Sequence, residues 1–273
     1  MMAEKVTIGN CELWLGDCMD YMATLPDKAF DLAIVDPPYG IGFDGKATTD
    51  HNGWQKYPPK EWDKNAPDAA YFNELRRVSE NQIIWGGNYF TEHLPPSRCW
   101  AIWYKVPYEF SLSQAEMAWC SFDAKVRVFE RMTNMDRGFM GKNIHPTQKP
   151  VKLYEWLLSN YAKPGQRILD THLGSGSSAI ACNNLGFEMV GCELDLDYYN
   201  AACKRIEQAT AQPRLFEDAK VGAGDTAVQG DMLLPANALG EGRERGILRE
   251  ASSGEAATST DGLEGILGEE NGK

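Results

Sequence analysis

The stretch from Arg167 to Glu193 constrains this chain more than any other. A short strand, Arg167 to Asp170, meets a glycine loop, Asp170-Thr171-His172-Leu173-Gly174-Ser175-Gly176-Ser177. Ser177 to Leu185 then reads as a helix that Gly186 stops, and Glu188 to Glu193 as a second strand. A strand, a glycine loop, a helix and a strand make a βαβ unit, which places the chain among folds with a largely parallel sheet covered by helices. Gly174 and Gly176 let the backbone turn tightly and approach a ligand. Glu193 lies 19 residues beyond Gly174, at the end of the next strand. An acid there suits the two hydroxyls of a ribose, so the unit reads as a site for an adenosine-containing cofactor. The G-x-G-x-x-A spacing fits nicotinamide cofactors too, and a glycine-rich turn without a ligand gives the same letters.

The alternation continues upstream. Phe30 to Val35 reads as a buried strand, Asp68 to Val78 as a helix, Gln82 to Trp85 and Trp100 to Tyr104 as strands, and Val151 to Tyr161 as a helix entered from Pro150. Asp195 to Gln208 reads as the last helix. Residues 41–65 and 105–144 do not fit the alternation and read as insertions. Composition breaks near residue 211. The last 62 residues hold one of the 29 aromatics, Phe216, but 11 of the 26 glycines. Such a segment buries too little apolar surface to offset the entropy of ordering it, so 212–273 is expected to be an acidic, disordered tail behind a domain at 1–211.

Charge narrows the class of partner. The net charge is −12, half of it on the tail, where 12 acidic side chains face 6 basic ones. A uniformly acidic protein argues against nucleic acid. Residues 124–149 run the other way: Lys125, Arg127, Arg131, Arg137, Lys142 and Lys149 stand against Glu130 and Asp136. The seven cysteines form no CxxC pair, so neither a disulfide framework nor a metal site is expected, and reduced thiols in a cytoplasm are the simple reading. No apolar run approaches a membrane span, and the first residues carry no secretory signal.

A second turn carries chemistry. Asp36-Pro37-Pro38-Tyr39-Gly40 follows the strand Phe30–Val35 directly. Two prolines fix φ twice and remove two donors. The Pro37 carbonyl and the Asp36 carboxylate then form a pair of acceptors suited to a planar –NH2 group, with the Tyr39 ring as a surface for its base. A plain turn after a strand is the alternative. The carboxyl end of a buried strand is where open α/β sheets place ligands.

Taken together, Asp36-Pro37-Pro38-Tyr39, His145-Pro146-Thr147-Gln148-Lys149-Pro150 and the loop at Asp170–Ser178 resemble the β class of amino-group DNA methyltransferases, over roughly residues 7–208. In that class the catalytic motif precedes the cofactor loop. The resemblance implies a Rossmann-like, S-adenosylmethionine-dependent fold with circularly permuted motif order and a mostly parallel seven-stranded sheet. It implies catalysis by Asp36, Pro37, Pro38 and Tyr39. It implies that the cofactor is held by Asp17 at the adenine, Thr147 and Lys149 at the methionine end, Asp170, Gly174, Ser175, Gly176 and Ser177 in the loop, and Glu193 at the ribose. The family loop reads Asp-Pro-Phe where this chain has Asp170-Thr171-His172, so one aromatic contact with the cofactor is missing.

The implied reaction moves a methyl group from S-adenosylmethionine to N6 of an adenine flipped out of double-stranded DNA, with no metal. N4 of cytosine is the alternative; members acting there more often begin the motif with Ser. A protein or RNA amine methyltransferase is a further enzyme reading, since a planar amide suits the same turn. A DNA-binding protein with a decayed site is disfavoured by the intact Asp36, Tyr39, Gly174, Gly176 and Glu193, and a nicotinamide oxidoreductase leaves Asp36–Tyr39 without a role. Phosphate contacts are expected from Lys125, Arg127, Arg131, Arg137 and Lys142. Target recognition is expected from the insertions at 41–65 and 105–144; in the first, Trp54, Tyr57 and Trp62, among Lys46, Lys56 and Lys60, touch DNA or pack a small lobe. The expected partner is double-stranded DNA without a membrane; a homodimer is left open.

Overall fold

The structure is a computed structural model and describes residues 4–43, 60–105, 113–130 and 143–211. The expectations for the tail 212–273, for Lys46, Trp54, Lys56 and Tyr57, and for Arg131, Arg137 and Lys142 therefore lie outside the described residues.

Nine strands form one sheet: β1 (Glu4–Ile8), β2 (Cys11–Leu15), β3 (Phe30–Val35), β4 (Ser79–Trp85), β5 (Trp100–Tyr104), β6 (Ala115–Cys120), β7 (Arg127–Glu130), β8 (Arg167–Asp170) and β9 (Glu188–Glu193). Their order across the sheet is β1-β2-β9-β8-β3-β4-β6-β5-β7. The expected seven-stranded sheet gives way to nine strands of mixed direction. β1 pairs antiparallel with β2, and β6 runs antiparallel between β4 and β5, while every other pairing is parallel. Two things caused the miscount. Glu4–Ile8 and Cys11–Leu15 join through Gly9-Asn10 as a hairpin at one edge, and β7 adds a short strand at the other.

Five helices of the described residues cover the sheet: α1 (Cys18–Ala23), α2 (Ala69–Val78), α3 (Val151–Tyr161), α4 (Ser177–Leu185) and α5 (Leu196–Ala211). β3 is buried on both faces from Leu32 to Val35, which explains the apolar run there. Leu32 and Ile34 face a core shared with α3, α4 and α5, whereas Ala33 and Val35 face one shared with α1 and α2. The Asp68 carboxylate caps α2 by accepting from the Ala70 and Tyr71 N–H groups, which sets where that helix starts. Gly186, at φ +75°, ends α4 in the left-handed region.

β3 and β8 are neighbours and parallel, so the two turns singled out by sequence leave the same edge of the sheet side by side. β8 follows β3 by more than a hundred residues in the chain yet lies against it. The reversal of β6 adds a consequence. Its first residues, rather than its last, lie at the edge where β3, β4 and β5 end.

Candidate active site

Asp36 leaves β3 with its two carboxylate oxygens engaged differently. Oδ1 accepts a hydrogen bond from the Tyr39 hydroxyl at 2.7 Å, and Oδ2 meets the Lys149 ammonium. Lys149 also reaches Oε2 of Glu116 on β6 at 3.1 Å, and Lys105, just past β5, pairs with the other Glu116 oxygen. Burial pushes the Asp36 carboxyl above its ordinary range, with the Lys149 charge opposing. At Glu116 burial pushes the same way, but Lys149 and Lys105 outweigh it and hold that carboxyl low. Lys149 is desolvated too, yet its two carboxylate neighbours keep it more basic than a free lysine. The directions agree on a charged Lys149 between two carboxylates.

Tyr39 is held in place from three sides. Its ring stacks on Tyr89 with centroids 4.9 Å apart and meets the edge of Phe90 at 6.0 Å. Gly86, at φ +69°, lies so close that a Cβ there would stand 2.2 Å from the Tyr39 ring. The surface expected for a base is thus taken on one side by Tyr89, itself half exposed.

The loop after Tyr39 is fastened by a residue that sequence inspection missed. Asp63, in a short 3-10 helix (Glu61–Asp63), is 2% exposed. Its Oδ1 accepts from the N–H groups of Tyr39 at 2.7 Å and Gly40 at 3.0 Å; Oδ2 accepts from Phe43 N–H at 2.7 Å. The only advance signal was an acid in a segment read as an insertion.

Across the gap between β3 and β8 lies the glycine loop. Asp170 is fully buried, accepting from His172 N–H and from the Ser178 hydroxyl, and burial pushes its carboxyl up to about 7. Glu193 accepts Gly174 N–H at 2.8 Å on Oε2 and Asp195 N–H at 3.0 Å on Oε1. The structure therefore joins Asp170, Gly174 and Glu193 in one cradle. The Ser175 and Ser177 side chains are buried and face each other, and Arg205 of α5 donates to the Ser175 carbonyl and the Ser177 hydroxyl. Gly176 sits at φ +72°, where a Cβ would come within 2.8 Å of Ile206 Cδ1, so that glycine serves helix packing. Asp17 is exposed and caps α1 through Met19 N–H. His172 bonds Thr171, which bonds the Tyr71 hydroxyl; burial pushes His172 down to about 4.

Thr147 is tied to His145, whose ring would stand 3.8 Å from a Cβ at Gly174. The Thr147 hydroxyl and N–H both meet Nδ1 of His145, whose ring packs between Trp62 and Tyr198. Burial pushes His145 down to about 3, with Lys149 acting in the same direction. Leu194 and Leu196 stand exposed beside Glu193, an apolar surface at the cradle's rim that sequence inspection did not single out.

The basic candidates divide. Lys125 and Arg127 are exposed at the start of β7, the end remote from the site, because β7 runs parallel to β5. An open hollow of about 810 Å³ lined by Lys28, Arg76, Gln82 and Arg98 also lies at the amino end of β4, away from Asp36. Among the described residues no group of three or more His, Cys, Asp or Glu could hold a metal, and no helix is long and apolar enough to cross a membrane.

Residues 84–204 match a protein family described as DNA methylase, the N6/N4 methyltransferase family. The Type II methyltransferase M.HinfI of Haemophilus influenzae is 24% identical over 80% of this chain and 74% of its own length. M2.MboI of Moraxella bovis, also a Type II methyltransferase, is 25% identical over 74% of this chain and 89% of its own. Among solved structures, the cytosine-N4-specific PvuII DNA methyltransferase superposes with a TM-score of 0.50 at 12% identity, covering 75% of this chain and 91% of that one. The chain resembles amino-group DNA methyltransferases, and it shares their α/β fold.

Proposed function

We propose that this chain is a DNA methyltransferase that moves a methyl group from S-adenosylmethionine to the N6 amine of an adenine flipped out of double-stranded DNA. One observation carries the reading. Asp36 and the cradle of Asp170, Gly174 and Glu193 leave neighbouring parallel strands at one edge of the sheet, which sets an amine-binding carboxylate beside a cofactor-binding loop.

The cradle fits the cofactor. Each Glu193 oxygen accepts one backbone N–H and keeps a lone pair for a ribose hydroxyl. Gly16 N–H meets the Glu193 carbonyl, which brings Asp17 beside the exposed Leu194 and suits the amine edge and apolar face of an adenine; Thr147 is given the methionine end by resemblance. When bound, the cofactor supplies a methyl already activated by its positive sulfur.

The chain's own residues then act on the amine. The N6 lone pair is delocalised into the adenine ring and is a weak nucleophile. Asp36 Oδ1 and the Pro37 carbonyl accept the two amine hydrogens and favour a tetrahedral nitrogen. As the N–C bond forms, the S–C bond breaks and a thioether leaves; the extra proton passes from nitrogen to Asp36 or water. Holding both reactants in line supplies up to about 7–11 kcal/mol in favourable cases. Flipping the base costs a few kcal/mol, and stacking on Tyr39 in exchange with the half-exposed Tyr89 returns about 1–3 kcal/mol. Asp in the first position of the motif, by resemblance, favours adenine over cytosine. Arg131, Arg137 and Lys142, in the stretch between β7 and the site, are proposed to contact phosphates; Lys125 and Arg127 face away from it.

DNA is incubated with the protein and isotope-labelled cofactor, digested and read as nucleosides by mass spectrometry. N6-methyladenine is expected, and Asp36→Ala abolishes it while cofactor affinity by calorimetry is largely kept. N4-methylcytosine would move the assignment to cytosine. No labelled nucleoside, or an Asp36→Ala protein as active as the parent, would overturn the reading.

A further inference from the structure

The proposed chemistry uses one oxygen of Asp36, but four charged side chains meet beneath the turn. Lys149 is 2% exposed and touches Asp36 Oδ2 and Glu116 Oε2, while Lys105 holds Glu116 from its other side. The Trp85 ring, at the end of β4, lies 5.3 Å below the Lys149 ammonium. These groups come from β3, β4, β6, the end of β5 and the segment leading into α3. They meet because β6 is antiparallel and delivers its amino end to the site.

We propose that Lys149, steadied by Glu116 and Lys105, is a positioning residue that fixes Oδ2 of Asp36, so that Oδ1 alone is exchanged between the Tyr39 hydroxyl and the target amine. The inference rests on the methyl-transfer reading and deepens it. Resemblance gave Lys149 to the methionine end of the cofactor; its contacts assign it to the carboxylate instead.

Charge balance supports this. An ammonium with almost no solvent must be paired. Asp36 alone would neutralise Lys149, so Glu116 is a surplus carboxylate, and Lys105 supplies the fourth charge that makes the set neutral. The geometry divides the labour. A carboxylate with both oxygens free would rotate, and one buried without a cation would take up a proton. A protonated Asp36 presents a hydrogen where the amine must donate one. With Oδ2 clamped, Oδ1 stays an acceptor at a set place, and the Tyr39 hydroxyl occupies it until a base arrives. The groups facing Asp36 are Tyr39 of its own turn, Lys149, Tyr154 of α3, Glu116 of β6 and Asp170 of β8. Of these Lys149 is the single cation.

The test titrates Asp36 in the full chain by carbon-13 NMR of labelled aspartate carboxyls, the signal being identified by its loss in Asp36→Asn. In Lys149→Met the Asp36 titration moves up by at least about one pH unit, a tenfold change in ionised fraction at a fixed pH below it. In Glu116→Gln, where Lys149 is left to Asp36 alone, it moves down. The acid limb of kcat follows in both variants, with cofactor affinity unchanged. Should Lys149→Met fail to fold, Glu116→Gln carries the test by itself. An unmoved Asp36 titration overturns the inference, and unmoved titration with weakened cofactor binding returns Lys149 to the methionine end. A parent protein without methyl transfer would sink the functional reading, whereas the NMR titration still decides what Lys149 does.

Discussion

Asp63 illustrates how a side chain outside any motif governs one inside it. Its carboxylate gathers three backbone N–H groups from both sides of Gly40, which fixes where the Tyr39 ring can lie. Asp63→Ala strands those donors and is expected to cost roughly 1–3 kcal/mol of stability. Turnover should fall more than cofactor affinity, because the cradle at Glu193 does not touch Asp63. A melting curve with calorimetry and turnover on the same variant checks both, and a parallel loss of cofactor binding would contradict the division. His145 permits a pH prediction. Its folded pKa is depressed to about 3 by burial, so the unfolded chain binds the proton first. Stability from this group is complete above the unfolded value and drains away as pH falls through about 6.5 towards 3. His145→Asn keeps an acceptor for Thr147 N–H but does not titrate. The melting-temperature gap between variant and parent should therefore narrow from pH 7 to pH 5; a constant gap would mean that the imidazole stays accessible to protons.

At the scale of elements, the cofactor loop stands on helix packing as much as on its own turn. Gly176 starts α4 against Ile206 of α5, with space for no Cβ. Gly176→Ala is expected to destabilise by about 1–3 kcal/mol through overpacking. Adding Ile206→Val removes the Cδ1 methyl and should recover part of that loss but not the strain of a positive φ. Thermal melts of the two variants give the comparison, and a double variant no better than the single one would place the cost wholly in the backbone. The same elements show what the sequence made legible. β3, β5, β8, β9, α3 and α4 have the expected bounds, because each strand holds a short apolar run between turn signals and each helix has a stop signal. β4 starts three residues early at Ser79, since α2 passes into it without a loop and the Ser79 hydroxyl bonds the Leu75 carbonyl. β6 and β7 were hidden: Ala115–Cys120 starts with Ala-Glu, and Arg127–Glu130 is short and exposed, so neither shows a buried or alternating pattern. Asp36 and Glu193 were legible from strand ends. Glu116 and Asp63 were not, because their value comes from partners distant in sequence.

For the whole molecule, α5 closes the described domain at Ala211, where composition changes. A chain ending at Gln212 is expected to fold, bind cofactor and methylate DNA. The removed residues carry a net −6, from 12 acidic and 6 basic side chains, so their loss should leave DNA affinity unchanged or raise it, most visibly at low salt where screening is weak. A melt and a DNA titration at two salt concentrations compare the full and the shortened chain. An insoluble or inactive truncation would show that the domain extends beyond residue 211.

The run of the strands has a bearing on how such a protein can diversify. Phe43 and Lys60 flank one stretch, Lys105 and Ser113 a second, and Glu130 and Asn143 a third. Each stretch leaves or rejoins the described chain beside the edge where Asp36 and Glu193 sit: Phe43 on Asp63, Lys60 on Asp195, Lys105 on Glu116, and Glu130 at the end of β7. A chain built this way can trade its reader without reopening its engine. On the proposed reading of this chain as a DNA methyltransferase with target recognition in residues 41–65 and 105–144, grafting a stretch between these joints from a relative is expected to alter which DNA words are marked, while the melting temperature, set by the cores on the two faces of the sheet, hardly moves.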